Sequence, residues 1–155
     1  MLLAMLTLAA SLQSCAADVA PSTMAAVVSV ESGGLPLAVH DDTTGRSYAF
    51  ERRSQAEATA RTLLAEGHRI DLGLGQINSA NLTALGLDVS SAFEPCTNLR
   101  ASARLLSEAY AAASARFGRG QVALRHALAA YHSGTLFGSS DYVRRVVAAA
   151  EIVER

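Results

Sequence analysis

Met24-Ala25-Ala26-Val27-Val28-Ser29-Val30-Glu31-Ser32-Gly33-Gly34 is an apolar run that ends on a carboxylate and is then broken by two glycines. The run reads as a buried helix, and the glycines stop it and open a cleft at its end. A carboxylate in that position is partly desolvated. Desolvation disfavours the charged form and raises the pKa, as a general acid working near neutral pH requires. The plain alternative is a solvated glutamate that happens to end a helix. Two later segments bear on the choice: Gly73-Leu74-Gly75-Gln76-Ile77-Asn78 and Ala129-Ala130-Tyr131-His132-Ser133-Gly134.

Working outward, the chain of 155 residues is long enough for one domain with a real hydrophobic core. Half of its residues are hydrophobic and 17% are charged, which argues against disorder. Aromatic residues make up 5% and there is no Trp, while alanine dominates. That composition suits close-packed helices rather than an all-β fold. The net charge of −1 supplies no basic stripe for phosphates, so nucleic acid is not expected as the main partner.

The periodicity predicts a first helix over residues 1–16 and a second from Pro21 or Ser22 to Glu31. Thr7, Ser11, Ser14 and Asp18 would trace one polar stripe on the first. Residues 33–50 read as an irregular lobe with a short hairpin at Thr44-Gly45. Ser54-Gln55-Ala56-Glu57 reads as a capping box opening a helix that stops at Gly67. His68 to Leu72 is expected to be extended, and Ser79 to open a short helix ending at Gly86. Thr97 is expected to cap the longest helix, Asn98 to Phe117, with Leu99, Ala103, Leu106, Tyr110, Ala113 and Phe117 as its apolar stripe. A helix from Gln121 to Tyr131 and a last one capped by Ser140 complete a mainly helical α+β domain.

Several polar residues stand out. Alternation would place Gln76 and Asn78 on one side of an extended segment, with Ile77 on the other. Asn78 has a second explanation, as cap of the short helix after it, whereas Gln76 has no capping reason to be there. Tyr131 and Tyr142 each read either as core tyrosines or as hydroxyl donors to a ligand. His40, His68 and His126 show no metal-ligand spacing and read as surface or loop residues, so no metal and no cofactor are expected. Glycoside hydrolysis ordinarily uses two carboxylates. The candidates for a second are Asp41 and Asp42, in what reads as a polar loop, and Asp71, which has an alternative role in holding the glycine turn after it.

The three motifs, in this order, resemble the catalytic domain of the lytic transglycosylases with a goose-lysozyme-like fold. Glu31-Ser32-Gly33 looks like the catalytic Glu-Ser motif. Gly73 to Asn78 looks like Gly-Leu-Met-Gln-Ile, with Gly75 in place of Met. Ala130 to Gly134 looks like Ala-Tyr-Asn-x-Gly, with His132 in place of Asn. The resemblance runs from about Ala20 to Val147. Asn81-Leu82-Thr83-Ala84-Leu85-Gly86-Leu87 and Glu94-Pro95-Cys96-Thr97-Asn98-Leu99 are similar to the subgroup that accompanies type IV secretion and conjugation machinery.

That resemblance implies a lysozyme-like domain with a long central helix, acting on peptidoglycan glycan strands in the periplasm or cell envelope. It implies Glu31 as the catalytic acid, and Ser32, Gln76, Asn78, Tyr131 and Tyr142 as substrate-binding residues. The Tyr131 hydroxyl would bond Glu31 or the sugar. Partners would be components of a secretion or conjugation machine. Two other functions remain open, a muramidase using Asp71 or Asp42 as second carboxylate and a non-enzymatic wall-binding assembly factor. Cys15 and Cys96 are either two buried thiols or one disulfide, and the implied envelope location favours the disulfide. Residues 1–16 remain open among a signal or anchor segment, for which Leu12-Gln13-Ser14-Cys15 is a loose match, and a helix of the domain. Met1 to Leu12 is too short to span a bilayer.

Overall fold

The computed structural model of the chain describes residues 12–153. In chain order the elements are α1 (Pro21–Ser32), β1 (Ala38–Asp41), β2 (Arg46–Ala49), α2 (Arg53–Ala65), β3 (Ile70–Leu72), β4 (Ile77–Asn78), a 3-10 turn (Ser79–Asn81), α3 (Leu82–Leu85), α4 (Val89–Ala92), α5 (Pro95–Phe117), α6 (Gln121–Ser133) and α7 (Ser140–Val153). This is the mainly helical α+β class expected from the sequence. The chain gathers into two compact units, one formed by Glu31–Ser102 and the other by the segments flanking it.

The flanking unit is helical. Met24, Ala26, Val27 and Val28 are buried on α1, while Ser29 stays exposed and Ser22 and Ala25 on its face are partly buried. Leu106 and Ala113 of α5, Ala123, Ala127 and Leu128 of α6, and Val143 and Val146 of α7 are also buried. Arg144 and Arg145 stay exposed, as the α7 pattern predicts. Residues 12–15 are helical, with Leu12 and Cys15 buried. Asp18 lies beyond that helix in a turn, so the predicted polar stripe does not reach it. Thr7 and Ser11 lie outside the described residues.

The Glu31–Ser102 unit is built on a four-stranded antiparallel sheet in the order β2-β1-β3-β4. Tyr48, Val39, Leu72 and Ile77 align across the four strands, and Ser47, His40, Asp71 and Asn78 form the adjacent row. Alternation along each strand puts the two rows on opposite faces. The apolar row, with buried Ile70, lies on the side where α2 packs through Ala56, Ala60 and Leu63. The predicted irregular lobe is therefore an ordered β1–β2 hairpin with its turn at Asp42–Gly45.

Three predicted caps move. Arg52, not Ser54, occupies the N-cap of α2, and no side chain caps it. Glu57 instead bonds Arg53, Arg61 and Ser90, because one carboxylate turn within reach of two guanidiniums pairs with them more strongly than with a backbone N–H. Helix α5 begins at Pro95, two residues before the predicted Thr97 cap. The Glu94 carboxylate accepts the N–H groups of Cys96 and Thr97, and proline's fixed φ suits the first helical position. Ser139 caps α7 through the N–H of Tyr142, one residue before the predicted Ser140. Helix α6 runs two residues past Tyr131 and ends at Gly134, whose φ of 74° takes the left-handed conformation.

Candidate active site

Glu31 is the second-last residue of α1 and is half-buried. Gly33 and Gly34, at φ of 63° and 81°, turn the chain away from the helix end. Ser32 ties that end to the β3–β4 turn: its Oγ donates to the Leu74 carbonyl at 2.8 Å and accepts the Gly34 N–H at 3.2 Å. Two sequence motifs separated by about forty residues are thereby joined by one hydrogen bond.

The β3–β4 turn spans Gly73 to Gln76 and is held from inside. Asn98, in the second turn of α5 and 1% exposed, accepts the Gly75 N–H at 2.8 Å. Its amide nitrogen donates to the Leu72 carbonyl at 2.9 Å and to the Ala92 carbonyl at 2.7 Å. Gly73 leaves the room this requires. A Cβ there would sit 2.4 Å from the Asn98 amide nitrogen and 2.9 Å from the Ala92 oxygen. The same glycine has φ of 74° and donates its N–H to the Ala38 carbonyl at 2.9 Å.

Gln76 corrects the expectation of alternation. It is not in an extended segment with Asn78, because its φ is 50°, the one positive φ of a non-glycine residue among those described. Its amide nitrogen folds back onto the Gly73 carbonyl at 2.8 Å and reaches the Ala38 carbonyl at 3.4 Å. A side chain held in the left-handed region costs of order 1–3 kcal/mol, and such strain is typical of functional turns. With both donors committed to carbonyls, the Gln76 amide oxygen is left as an acceptor.

Asn78 caps the 3-10 turn, accepting the Ala80 N–H at 3.0 Å, which is the second of its two expected explanations. Its amide nitrogen also bridges two acids, donating to Asp71 at 2.8 Å and Asp42 at 3.0 Å. Burial pushes the Asp71 carboxyl up to about 6, with the nearby Asp42 carboxylate adding to the rise and Asn78 and His40 opposing it. His40 holds Ser47 at 2.8 Å and approaches Asp42 at 3.8 Å.

Asp41 does not sit in a polar loop as its neighbours suggested. It is 1% exposed and closes the β1–β2 hairpin, accepting from the Thr43 N–H, the Thr44 hydroxyl and His68 Nδ1. Burial works against its ionisation, but those hydrogen bonds outweigh it and hold the carboxyl below the ordinary range. His68, in the connection before β3, is a hydrogen-bond partner of this carboxylate. His126 also departs from expectation: it stacks on Phe117 at 4.0 Å and its Nδ1–H donates to the Leu136 carbonyl at 2.6 Å.

Tyr131 and Tyr142 belong to the flanking unit. Tyr131 is half-buried on α6, while Tyr142 is 1% exposed and stacks against His132 at 4.3 Å. A cavity of about 450 Å³ in that unit, with Asp18, Thr23, Tyr110 and Arg119 on its wall, contains none of the predicted site residues. Cys15 and Cys96 are each disulfide-bonded. Among the described residues no group of acids, histidines or cysteines is arranged to hold a metal, and no helix is long and apolar enough to cross a membrane.

Sequence reasoning missed Asn98 as a site residue and the hydrogen bond between His68 and Asp41. The signal for Asn98 was available: Asn98 and Ser102 stand four apart within an otherwise apolar helix face, and Ser102 donates back to the Asn98 carbonyl. A buried polar pair of that kind needs partners, and the glycine turn has them.

Residues 10–146 match the family model described as the transglycosylase SLT domain. The chain is 43% identical to Protein virB1 of Agrobacterium fabrum over 139 residues, 88% of this chain and 56% of that protein. It is 39% identical over 153 residues to the type IV secretion system protein virB1 of Brucella abortus, 92% of this chain and 63% of that protein. The chain thus spans little more than half the length of these relatives. No solved structure matches it.

Proposed function

The chain belongs to the transglycosylase SLT domain family, and from that premise we propose that it is a peptidoglycan lytic transglycosylase with Glu31 as its acid. The observation that carries this reading is the bond from Ser32 to Leu74, which fastens the helix end bearing Glu31 to the strained turn bearing Gln76. The helix end that carries Glu31 and the turn that carries Gln76 are thereby joined within one compact unit.

In the proposed reaction Glu31 gives its proton to the oxygen bridging C1 of N-acetylmuramic acid and C4 of N-acetylglucosamine. The C1–O bond breaks and the N-acetylglucosamine leaves with a free hydroxyl. The Glu31 carboxylate then takes the proton of the muramic 6-hydroxyl as that oxygen attacks C1, closing a 1,6-anhydro ring and restoring the acid. No water enters. A general acid in this role contributes typically ~10²–10⁴-fold. Gln76 would accept a hydroxyl or acetamido N–H of the sugar. Ser32, Asn78 and Tyr131 are further proposed substrate contacts, whereas Tyr142, 1% exposed and stacked on His132, has no surface to offer a sugar.

The name of the Brucella abortus relative supports work beside a type IV secretion apparatus, and we propose that the chain opens the wall locally for it from the cell envelope. An oxidising envelope compartment accords with the oxidised cysteines, and we pair Cys15 with Cys96.

A hydrolase reading is favoured by one observation, the raised Asp71 carboxyl beside Asp42. Against it, both acids already hold Asn78. Glu31→Gln tests the main proposal: the variant keeps the side chain's shape but has no proton to give. It should fold, as circular dichroism and melting would show, and release no muropeptide from purified sacculi. Normal turnover by the folded variant would exclude Glu31 as the acid.

A further inference from the structure

We propose that Asn98 is a positioning residue for this reaction, acting through the Gly73–Gln76 turn; the role rests on the transglycosylase reading. Asn98 touches neither Glu31 nor, in this arrangement, a sugar. It sets the backbone on which both depend. Its single amide satisfies three main-chain groups drawn from three places: the end of β3 at Leu72, the turn at Gly75 and the end of α4 at Ala92. The turn's next carbonyl, that of Leu74, is the one that receives Ser32. A shift of the Asn98 amide is therefore passed through one residue of backbone to the end of α1.

Only asparagine among the common side chains fills this position. It offers two donors and an acceptor at the length required, and all three are used. Aspartate keeps the acceptor for Gly75 but turns lone pairs toward two carbonyl oxygens. Leucine has the shape and leaves three buried groups unsatisfied, at about 1–3 kcal/mol each. Glutamine is one methylene too long for a site in which even a Cβ on Gly73 would collide. Gly73 and Asn98 are thus one device. The absent side chain at the first position makes room for the amide of the second.

The device matters to catalysis because positioning is sensitive to small displacements. Moving a reacting group by about 1 Å can cost on the order of 10²-fold in rate. The turn has few other holds: the Gln76 amide bonds within it and to Ala38, Gly73 bonds Ala38, and Ser32 bonds it from α1. Loss of the Asn98 contacts would leave Gln76 free to relax from its strained φ of 50°.

Asn98→Asp provides the test, measured on the full chain acting on purified sacculi. At pH 7 kcat should fall about ten- to hundred-fold, with KM rising as well, because the turn that carries Gln76 moves together with the helix end that carries Glu31. The loss should shrink as pH falls. Protonation gives the new carboxyl an O–H that again donates to one of the two carbonyls; because acid also relieves the cost of a buried carboxylate, the rescue is read as kcat per folded molecule, with melting followed at each pH. Wild-type kcat in Asn98→Asp, or a loss that acid does not relieve, overturns the proposal. Ser32→Ala covers the case in which Asn98→Asp does not fold. It removes one further hold on the turn from a half-buried position, and should lower kcat with the melting temperature nearly unchanged, whereas an unchanged kcat would contradict the turn's role. A wild-type protein that releases no anhydro product fails the transglycosylase reading itself, whereas an active wild type with an equally active Asn98→Asp fails the positioning role alone.

Discussion

The β3–β4 turn and the β1–β2 turn belong to the same small sheet, yet they are tied down by different chemistry. At Gly73–Gln76 the ties are neutral amides, those of Asn98 and Gln76, bonded to backbone. At Asp42–Gly45 the tie is a buried carboxylate, Asp41, gripped by Thr43, Thr44 and His68. Amides of this kind do not titrate, so the first turn keeps its hold at any moderate pH. The second is fastest where Asp41 is ionised. In the proposed reaction Glu31 alternates between acid and carboxylate, and a turn fastened to its helix end gains from a frame that ignores protons. The polar sheet face with Asp42 and Asp71 sits between these cases, held by an asparagine but carrying two acids.

The largest expected effect is on the covalent side of the amide-held turn. Cys96 lies in the first turn of α5, just ahead of Asn98. If it is bridged to Cys15, reduction should cost about 4 kcal/mol in the chain-entropy model, less any strain. The melting temperature should drop, and thiol labelling of unreduced protein should find neither cysteine. Labelling of both would end the pairing. The next effect contrasts the two turns directly. Gly73→Ala meets Asn98 and Ala92 as well as a left-handed backbone, and should destabilise by about 2–4 kcal/mol in urea. Gly45→Ala has φ of 73° but open space around it, and should cost only about 1–2 kcal/mol. Equal costs would mean that the Gly73–Asn98 fit is looser than the structure shows.

The smallest effect separates the acids by sign. Asp41 is held below its ordinary pKa, so its contribution is present above about 3.8 and is lost as pH falls through the folded value. Asp71 is raised to about 6, so its contribution is present below about 3.8 and is lost as pH rises through about 6. Asp71→Asn removes that loss. At pH 8 its melting temperature should exceed that of the wild type by about 2–4 °C, and the difference should shrink as pH falls and close below about 3.8. A lower melting temperature at pH 8 would show that the ionised Asp71 is a net support through Asn78.

How much of this was legible in the sequence differs between the same two turns. The glycines around Gln76 announced a turn, and the apolar run before Glu31 announced a buried helix with an opening at its end. Both are local patterns, and both elements formed where they were expected. The strained φ of Gln76 was not legible, because alternation assumes an extended backbone and the turn is fixed by Asn98, a residue more than twenty positions away. Asp41 was misread for the same reason. It looks like a loop residue among its neighbours, and only the pairing of β1 with β3 brings it to His68. The caps of α2, α5 and α7 slipped by one or two residues where a stronger partner, a guanidinium for Glu57 or a proline start for α5, outcompeted the simplest capping pattern.

The central claim is that Glu31 drives an intramolecular closure in which water takes no part. Digestion of purified sacculi in H₂¹⁸O, followed by mass spectrometry of the released muropeptides, tests it most directly. The account predicts products one water lighter than the hydrolytic ones, with anhydro-muramic ends that carry no ¹⁸O, and none at all from Glu31→Gln. Reducing muramic ends labelled with ¹⁸O would contradict it and assign the chain to hydrolysis.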